Sequence, residues 1–130
     1  MSILIKPTDS ELEILNILWQ KGPSTVREIH EVLEKNKDAG YTTTLKLMQI
    51  MHEKKLVKRD ATNKSHVYEA AVPQAQTQGQ IVKRMIDNVF NGSTMQLVMQ
   101  ALGNHKADAK ELEQIKEYLE EMEKTNKSQK

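Results

Sequence analysis

The apolar residues of this chain change their spacing twice, and that change constrains the fold more than any bulk property does. Up to Met51 they recur at helical intervals. Leu12, Leu15 and Trp19, joined by Ile14 and Leu18, form a broad face behind the capping box Thr8-Asp9-Ser10-Glu11. Gly22-Pro23 ends that helix. A second capping box, Thr25-Val26-Arg27-Glu28, precedes Val26, Ile29 and Leu33 at helical spacing. After the polar break at 36–40, Thr44, Leu47, Met48 and Met51 stand at i, i+3, i+4 and i+7. Thr42 or Thr43 is the expected cap of this third helix, which should run to about Lys54. From Leu56 the helical period is lost. Residues 56–60 and 65–70 read as two short strands, with Ala61-Thr62-Asn63-Lys64 as the hairpin tip.

The helical period then returns. Ile81, Val82, Met85, Ile86, Val89 and Phe90 mark one helix, ended by Asn91-Gly92. Ser93-x-x-Gln96 caps another, which holds Leu97, Val98, Ala101 and Leu102 and ends at Gly103-Asn104. Asp108-x-x-Glu111 opens the last, where Leu112, Ile115, Leu119 and Met122 form a seam of two heptads. The tail 125–130 has no apolar residue and is expected to be disordered. The fold predicted is mainly α with a small β-hairpin. Residues 1–72 have the element order of a winged helix-turn-helix domain, and 73–124 form a helical region.

Composition removes several function classes. The 130 residues suffice for one domain and bury roughly two-thirds of the unfolded surface. Mean hydropathy is −0.64, and no apolar run approaches the roughly 18–20 residues of a membrane-spanning helix. Met1-Ser2-Ile3-Leu4-Ile5 lacks the basic start and length of a secretory leader. There is no cysteine, which excludes disulfides, thiolate metal sites and a thiol nucleophile and fits a cytoplasmic protein. Five aromatic residues are too few for a platform of stacked bases.

Catalytic patterns are missing as well. His30, His52, His66 and His105 show no HxxxH or HExxH spacing, and adjacent His-Glu pairs on helices diverge, so these are read as surface histidines. No serine sits in GxSxG, and there is no P-loop or GxGxxG. The chain is therefore not expected to be an enzyme, nor to carry a metal or cofactor.

The charge distribution points elsewhere. Residues 41–67 hold Lys46, Lys54, Lys55, Lys58, Arg59 and Lys64 against Glu53 and Asp60, net +4, while 108–123 are net −5. A basic middle between acidic ends suits an anionic partner. If Thr44, Leu47, Met48 and Met51 face inward, the far side of the third helix presents Thr42, Lys46, Gln49 and Glu53, flanked by Thr43, Leu45 and Ile50. Hydroxyl, amide and ammonium groups there suit base edges and phosphates in a major groove. Lys58, Arg59, Lys64 and His66 on the hairpin would straddle a phosphate backbone. The C-terminal helix packs either within its own chain or against a second copy. A homodimer would set two recognition helices about one DNA turn apart. Its expected interface is Ile81, Val82, Met85, Val89, Leu97, Val98, Leu112, Ile115, Leu119 and Met122.

The stretch from Lys6-Pro7-Thr8-Asp9-Ser10-Glu11 to Trp19 resembles the penicillinase repressor and methicillin-resistance repressor family (the BlaI/MecI/CopY regulators). So do Thr25-Val26-Arg27-Glu28-Ile29, Tyr41-Thr42-Thr43-Thr44-Leu45, residues 53–59 and Phe90-Asn91-Gly92-Ser93. The resemblance spans essentially the whole chain. It implies a dimeric winged-helix repressor on inverted repeats in resistance-gene promoters, with DNA contacts at Thr42, Thr43, Lys46 and Gln49. Two positions depart from the family pattern. Ile50 stands where relatives usually carry Arg, and Lys54-Lys55 replaces the usual Lys-Gly. Copper-sensing members use a C-terminal cysteine cluster that this chain lacks. Antibiotic-sensing members are cut in the dimer region after a membrane sensor detects β-lactam; the matching helix is 97–104, near Gln100-Ala101. The alternative reading is a winged-helix protein-interaction module without sequence-specific DNA binding. The two differ in salt dependence, which is steep for phosphate contacts.

Overall fold

Both N-terminal capping boxes form. In the computed structural model, which describes residues 6–104 and 106–128, Thr8 Oγ1 accepts the Glu11 N–H at 3.2 Å and Glu11 Oε1 accepts the Thr8 N–H at 2.8 Å. They start α1 (Asp9–Lys21), which stops at Gly22 with a left-handed φ of 87°. Thr25 and Glu28 make the same pair at 3.2 and 2.9 Å and open α2 (Val26–Glu34).

The third helix starts earlier than predicted. The N-cap of α3 (Tyr41–Glu53) is Gly40, with no side-chain cap bond. The cap expected at Thr42 or Thr43 is absent because the Thr44 N–H already closes the first turn on the Gly40 carbonyl at 3.2 Å. Thr42 and Thr43 thereby become first-turn residues with exposed side chains.

The hairpin pairs β2 (Val57–Asp60) with β3 (Val67–Ala70), antiparallel, Val57 opposite Ala70 and Asp60 opposite Val67. A third strand, β1 (Ser24–Thr25), pairs with β3 through Ser24 opposite Tyr68, giving the order β1-β3-β2. Two residues carry no readable period, so this strand is invisible in the sequence. Helices and sheet close on one core in which Ile14, Leu15, Ile29, Met48 and Met51 are inaccessible and Tyr68 nearly so. Trp19 Nε1 donates to the Val72 carbonyl at 3.0 Å and ties α1 to the chain leaving the sheet.

After Pro73 comes α4 (Gln74–Asn88), whose buried Thr77 donates its hydroxyl to the Pro73 carbonyl at 2.8 Å. The chain divides into two compact units, 1–83 and 84–130, with the division inside α4. In the second unit, left-handed Asn91 (φ 52°) and Gly92 (φ 85°) follow the end of α4. Ser93 caps α5 (Thr94–Asn104) through the Gln96 N–H at 3.1 Å, and Asp108 caps α6 (Ala109–Ser128) through the Glu111 N–H at 2.8 Å. Disorder was expected from Thr125, yet α6 continues to Ser128, with the Thr125 hydroxyl donating to the Glu121 carbonyl at 3.1 Å. The sequence readings of Met1-Ser2-Ile3-Leu4-Ile5, of His105 and of the final residues 129–130 lie outside the described residues. Among the described residues no helix is long and apolar enough to cross a membrane.

Candidate nucleic-acid interface

Amphipathicity orients α3. Thr44, Met48 and Met51 turn into the core, so Thr42, Thr43, Lys46 and Gln49 stand exposed on the other side. Ile50 is half-buried, which leaves only part of its side chain to meet anything outside. Thr44 is held by His30, whose Nδ1 lies 3.0 Å from Thr44 Oγ1 while Nε2 lies 2.7 Å from Glu34 Oε1.

His30 corrects the sequence reading. It is buried, 7% exposed, rather than a surface histidine, because α2 packs on α3 at this point and Thr44 and Glu34 satisfy both ring nitrogens. His52 and His66 are half-buried. No group of three or more His, Cys, Asp or Glu among the described residues could hold a metal.

The hairpin sorts the predicted basic residues by face. Opposed residues in an antiparallel pair share a face. Arg59 lies opposite the buried Tyr68, whereas Lys58 lies opposite exposed Glu69. Arg59, Lys64 and His66 therefore come together with Gln49 around a hollow of about 390 Å³ between α3 and the hairpin. Lys58 borders only a second hollow, beside Glu69 and Asp60, whereas Arg59 borders both. The sequence grouped these four basic side chains; the structure brings three of them beside α3.

The first hollow is electropositive. No acidic residue lines it, and among the described residues Lys46, Lys58, Arg59 and Lys64 have no ion-pair partner. Two carboxylates of the same unit are engaged by other groups. The Thr62 hydroxyl, and next its N–H, bind Asp60 Oδ1 at the hairpin tip and hold that carboxyl below its ordinary value. Burial raises the Glu11 carboxyl, but the hydrogen bond from Lys54 Nζ at 2.6 Å, the Thr8 N–H, the Lys54 charge and the Thr8 hydroxyl outweigh it and hold it low. Lys54 is thus committed to the fold. Lys55 takes a left-handed φ of 65°, a conformation that favours glycine.

Two residues that sequence reasoning did not assign to the site border the same hollow. Arg27 lies over the Tyr41 ring, its Cζ 5.8 Å from the ring centroid. They are fourteen positions apart on different helices, so no local spacing signals the pair. The only hint was their place inside the motifs Thr25-Val26-Arg27-Glu28 and Tyr41-Thr42-Thr43.

The helices α4, α5 and α6 show the opposite burial pattern. Of the residues assigned to an interface, Val82 (42% exposed), Met85, Val89 (65%), Val98, Leu112, Leu119 (53%) and Met122 are exposed, and Ile81, Leu97 and Ile115 are half-buried. Met95, Met99, Leu102 and Tyr118 add exposed apolar surface that the heptad pattern did not assign. Gln100 and Ala101 lie exposed on α5, a helix with no buried residue.

Comparison with known proteins places the chain. The sequence model of the penicillinase repressor family matches residues 7–121. The chain is 22% identical over 115 residues to the penicillinase repressor of Staphylococcus aureus, covering 88% of this chain and 91% of that protein. It is 24% identical over 112 residues to the methicillin resistance regulatory protein MecI of Staphylococcus aureus strain N315, covering 86% and 91%. Over 69 residues it is 33% identical to the transcriptional regulator BlaI of Mycobacterium tuberculosis, covering 52% and 50%. With a winged helix-turn-helix fold and a family match over residues 7–121, the chain belongs to the penicillinase repressor family of DNA-binding transcriptional repressors.

Proposed function

We propose that the protein is a sequence-specific repressor that sits as a homodimer on an inverted-repeat operator in the cytoplasm and controls β-lactam or other antibiotic-resistance genes. One observation carries this: the exposed polar face of α3, with Thr42, Thr43, Lys46 and Gln49, stands beside a hollow bordered by Arg59, Lys64 and His66 and lined by no acid. α3 would read base edges, and the hairpin would hold phosphates. Lys46→Ala and Gln49→Ala should each relax the preference for operator over random DNA, a good base contact contributing about 1–3 kcal/mol. Unchanged preference for both variants in a competition shift assay would overturn the assignment. Binding that weakens only slightly with salt would favour the protein-interaction module instead.

The dimer reading rests on the exposed apolar side chains of α4, α5 and α6, a set that water disfavours and a second copy would cover. Release of repression would follow from cleavage near Gln100-Ala101 by a protease linked to a membrane sensor. A helix without a buried residue opens at low cost, and local opening must precede cleavage. The cut separates α6 from the DNA-binding part, so the two recognition helices lose the high effective concentration that linkage supplies. Blotting the repressor before and after β-lactam exposure tests this. A full-length band throughout, with the target gene induced, excludes proteolytic release.

A further inference from the structure

We propose that Arg27 binds a backbone phosphate of the DNA from α2, opposite the hairpin, and that Tyr41 holds its guanidinium in position. This rests on the DNA-binding reading and adds a residue that neither the recognition helix nor the hairpin contains. Arg27 reaches the hollow from α2, while Gln49 comes from α3 and Arg59, Lys64 and His66 come from the hairpin side. Two separate elements, α2 and the hairpin, thus aim basic groups, and α3 an amide, into one concave surface that no carboxylate lines.

The guanidinium is positioned by a chain of contacts. Its Cζ stands 5.8 Å from the Tyr41 centroid, within range of a cation–π contact. Tyr41 is in turn set edge-on against His30, with centroids 5.4 Å apart and ring planes at 85°. His30 is locked between Thr44 and Glu34. Holding a long side chain in one place before binding removes part of the ordering cost that a free surface arginine would bear on contact.

The charge of Arg27 is uncommitted. Among the described residues it has no ion-pair partner, although Glu28 is adjacent and Glu31 lies one turn further along α2. Glu28 is engaged on the Thr25 N–H at 2.9 Å and faces Lys21 at 3.9 Å. A planar donor set without a carboxylate partner, stacked on a ring and facing an open cationic hollow, fits a phosphate oxygen pair.

The test uses the full-length protein with an operator duplex and a random-sequence duplex across a salt series. Arg27→Ala should lower affinity for both duplexes by the same factor, about tenfold, as expected for a hydrogen bond to a charged group. It should also flatten the salt slope by about 0.9 for each lost contact, so by about 1.8 for a dimer. Tyr41→Leu should weaken binding two- to fivefold, on the order of a cation–π contact, with the slope unchanged, because the charge remains. Tyr41→Phe keeps the ring and should bind like the unmodified protein, which separates ring stacking from a role of the phenol hydroxyl. Thermal unfolding of each variant separates lost contacts from lost folding.

An Arg27→Ala variant with unchanged affinity and slope overturns the phosphate contact while leaving DNA binding intact. A selective loss on operator DNA alone means that Arg27 reads a base and overturns it equally. Binding by the unmodified protein that hardly responds to salt overturns the DNA reading, and this proposal with it.

Discussion

Residues 1–83 and residues 84–130 both carry amphipathic helices, but their apolar faces meet opposite fates. The first unit turns Ile14, Leu15, Ile29, Met48 and Met51 fully inward and seals them with a three-stranded sheet. In the second, α5 and α6 leave Met95, Met99, Leu112, Leu119 and Met122 exposed. An apolar stripe is a demand for a partner, and the sequence does not say whether that partner is another part of the same chain. In the first unit the hairpin and three short helices meet the demand. In the second, the described residues of α5 and α6 leave the stripe largely exposed within one chain, which is why a second copy is proposed to cover it.

The sharpest way to break this contrast is a charge in the seam. Leu119 is 53% exposed in one chain, so Leu119→Asp should cost an isolated chain little. Buried against a second copy, the same carboxylate costs several kcal/mol unless paired. Sedimentation should show monomers with the first unit still folded; a variant still dimeric at micromolar concentration would place the seam inside one chain.

Met48→Ala tests the other half. Met48 is inaccessible in the core, and its truncation should cost about 2–5 kcal/mol in denaturant unfolding, independent of protein concentration. A loss that varied with concentration would mean that the first unit also depends on association.

A smaller effect comes from Glu11, 2% exposed and bonded to Lys54. Glu11→Gln should cost about 1–3 kcal/mol at neutral pH. The folded carboxyl lies below its ordinary value of 4.5, so its contribution is present above that pH and is lost as pH falls through the folded value. The stability difference between the two proteins should shrink on acidification. A constant difference would show that packing, not charge, is what the substitution removes.

The smallest effect, and the only gain, is at Lys55. Its φ of 65° is costly for a residue with a Cβ, so Lys55→Gly should stabilise the first unit by about 1 kcal/mol in thermal unfolding. No gain would mean that the lysine makes a compensating interaction.

Much of this architecture was legible where a local signal existed. The caps at Thr8, Thr25, Ser93 and Asp108 all form, because a cap depends on residues three apart. The inward face of α3 was readable from the spacing of Thr44, Met48 and Met51. Failures fell where the cause is distant. Gly40 replaced the expected threonine cap, and His30 went into the core because α3 supplies Thr44 beside it. At the candidate site the outward residues of α3 followed from periodicity, whereas the separation of Lys58 from Arg59 required the pairing register of β2 and β3.

By itself the sequence determined the order of elements, the places where helices begin and the faces that seek burial, since each depends on residues within one or two turns of one another. It also determined that no thiol or catalytic histidine motif is present. Only the tertiary structure decided which surfaces share a neighbourhood. It placed Arg27 over Tyr41, gathered Arg59, Lys64 and His66 beside Gln49, left Lys58 out of that hollow and left α5 without a buried residue. The physical reason is range: propensity and capping act along the chain, while stacking, register and burial join residues that only folding brings within a few ångströms.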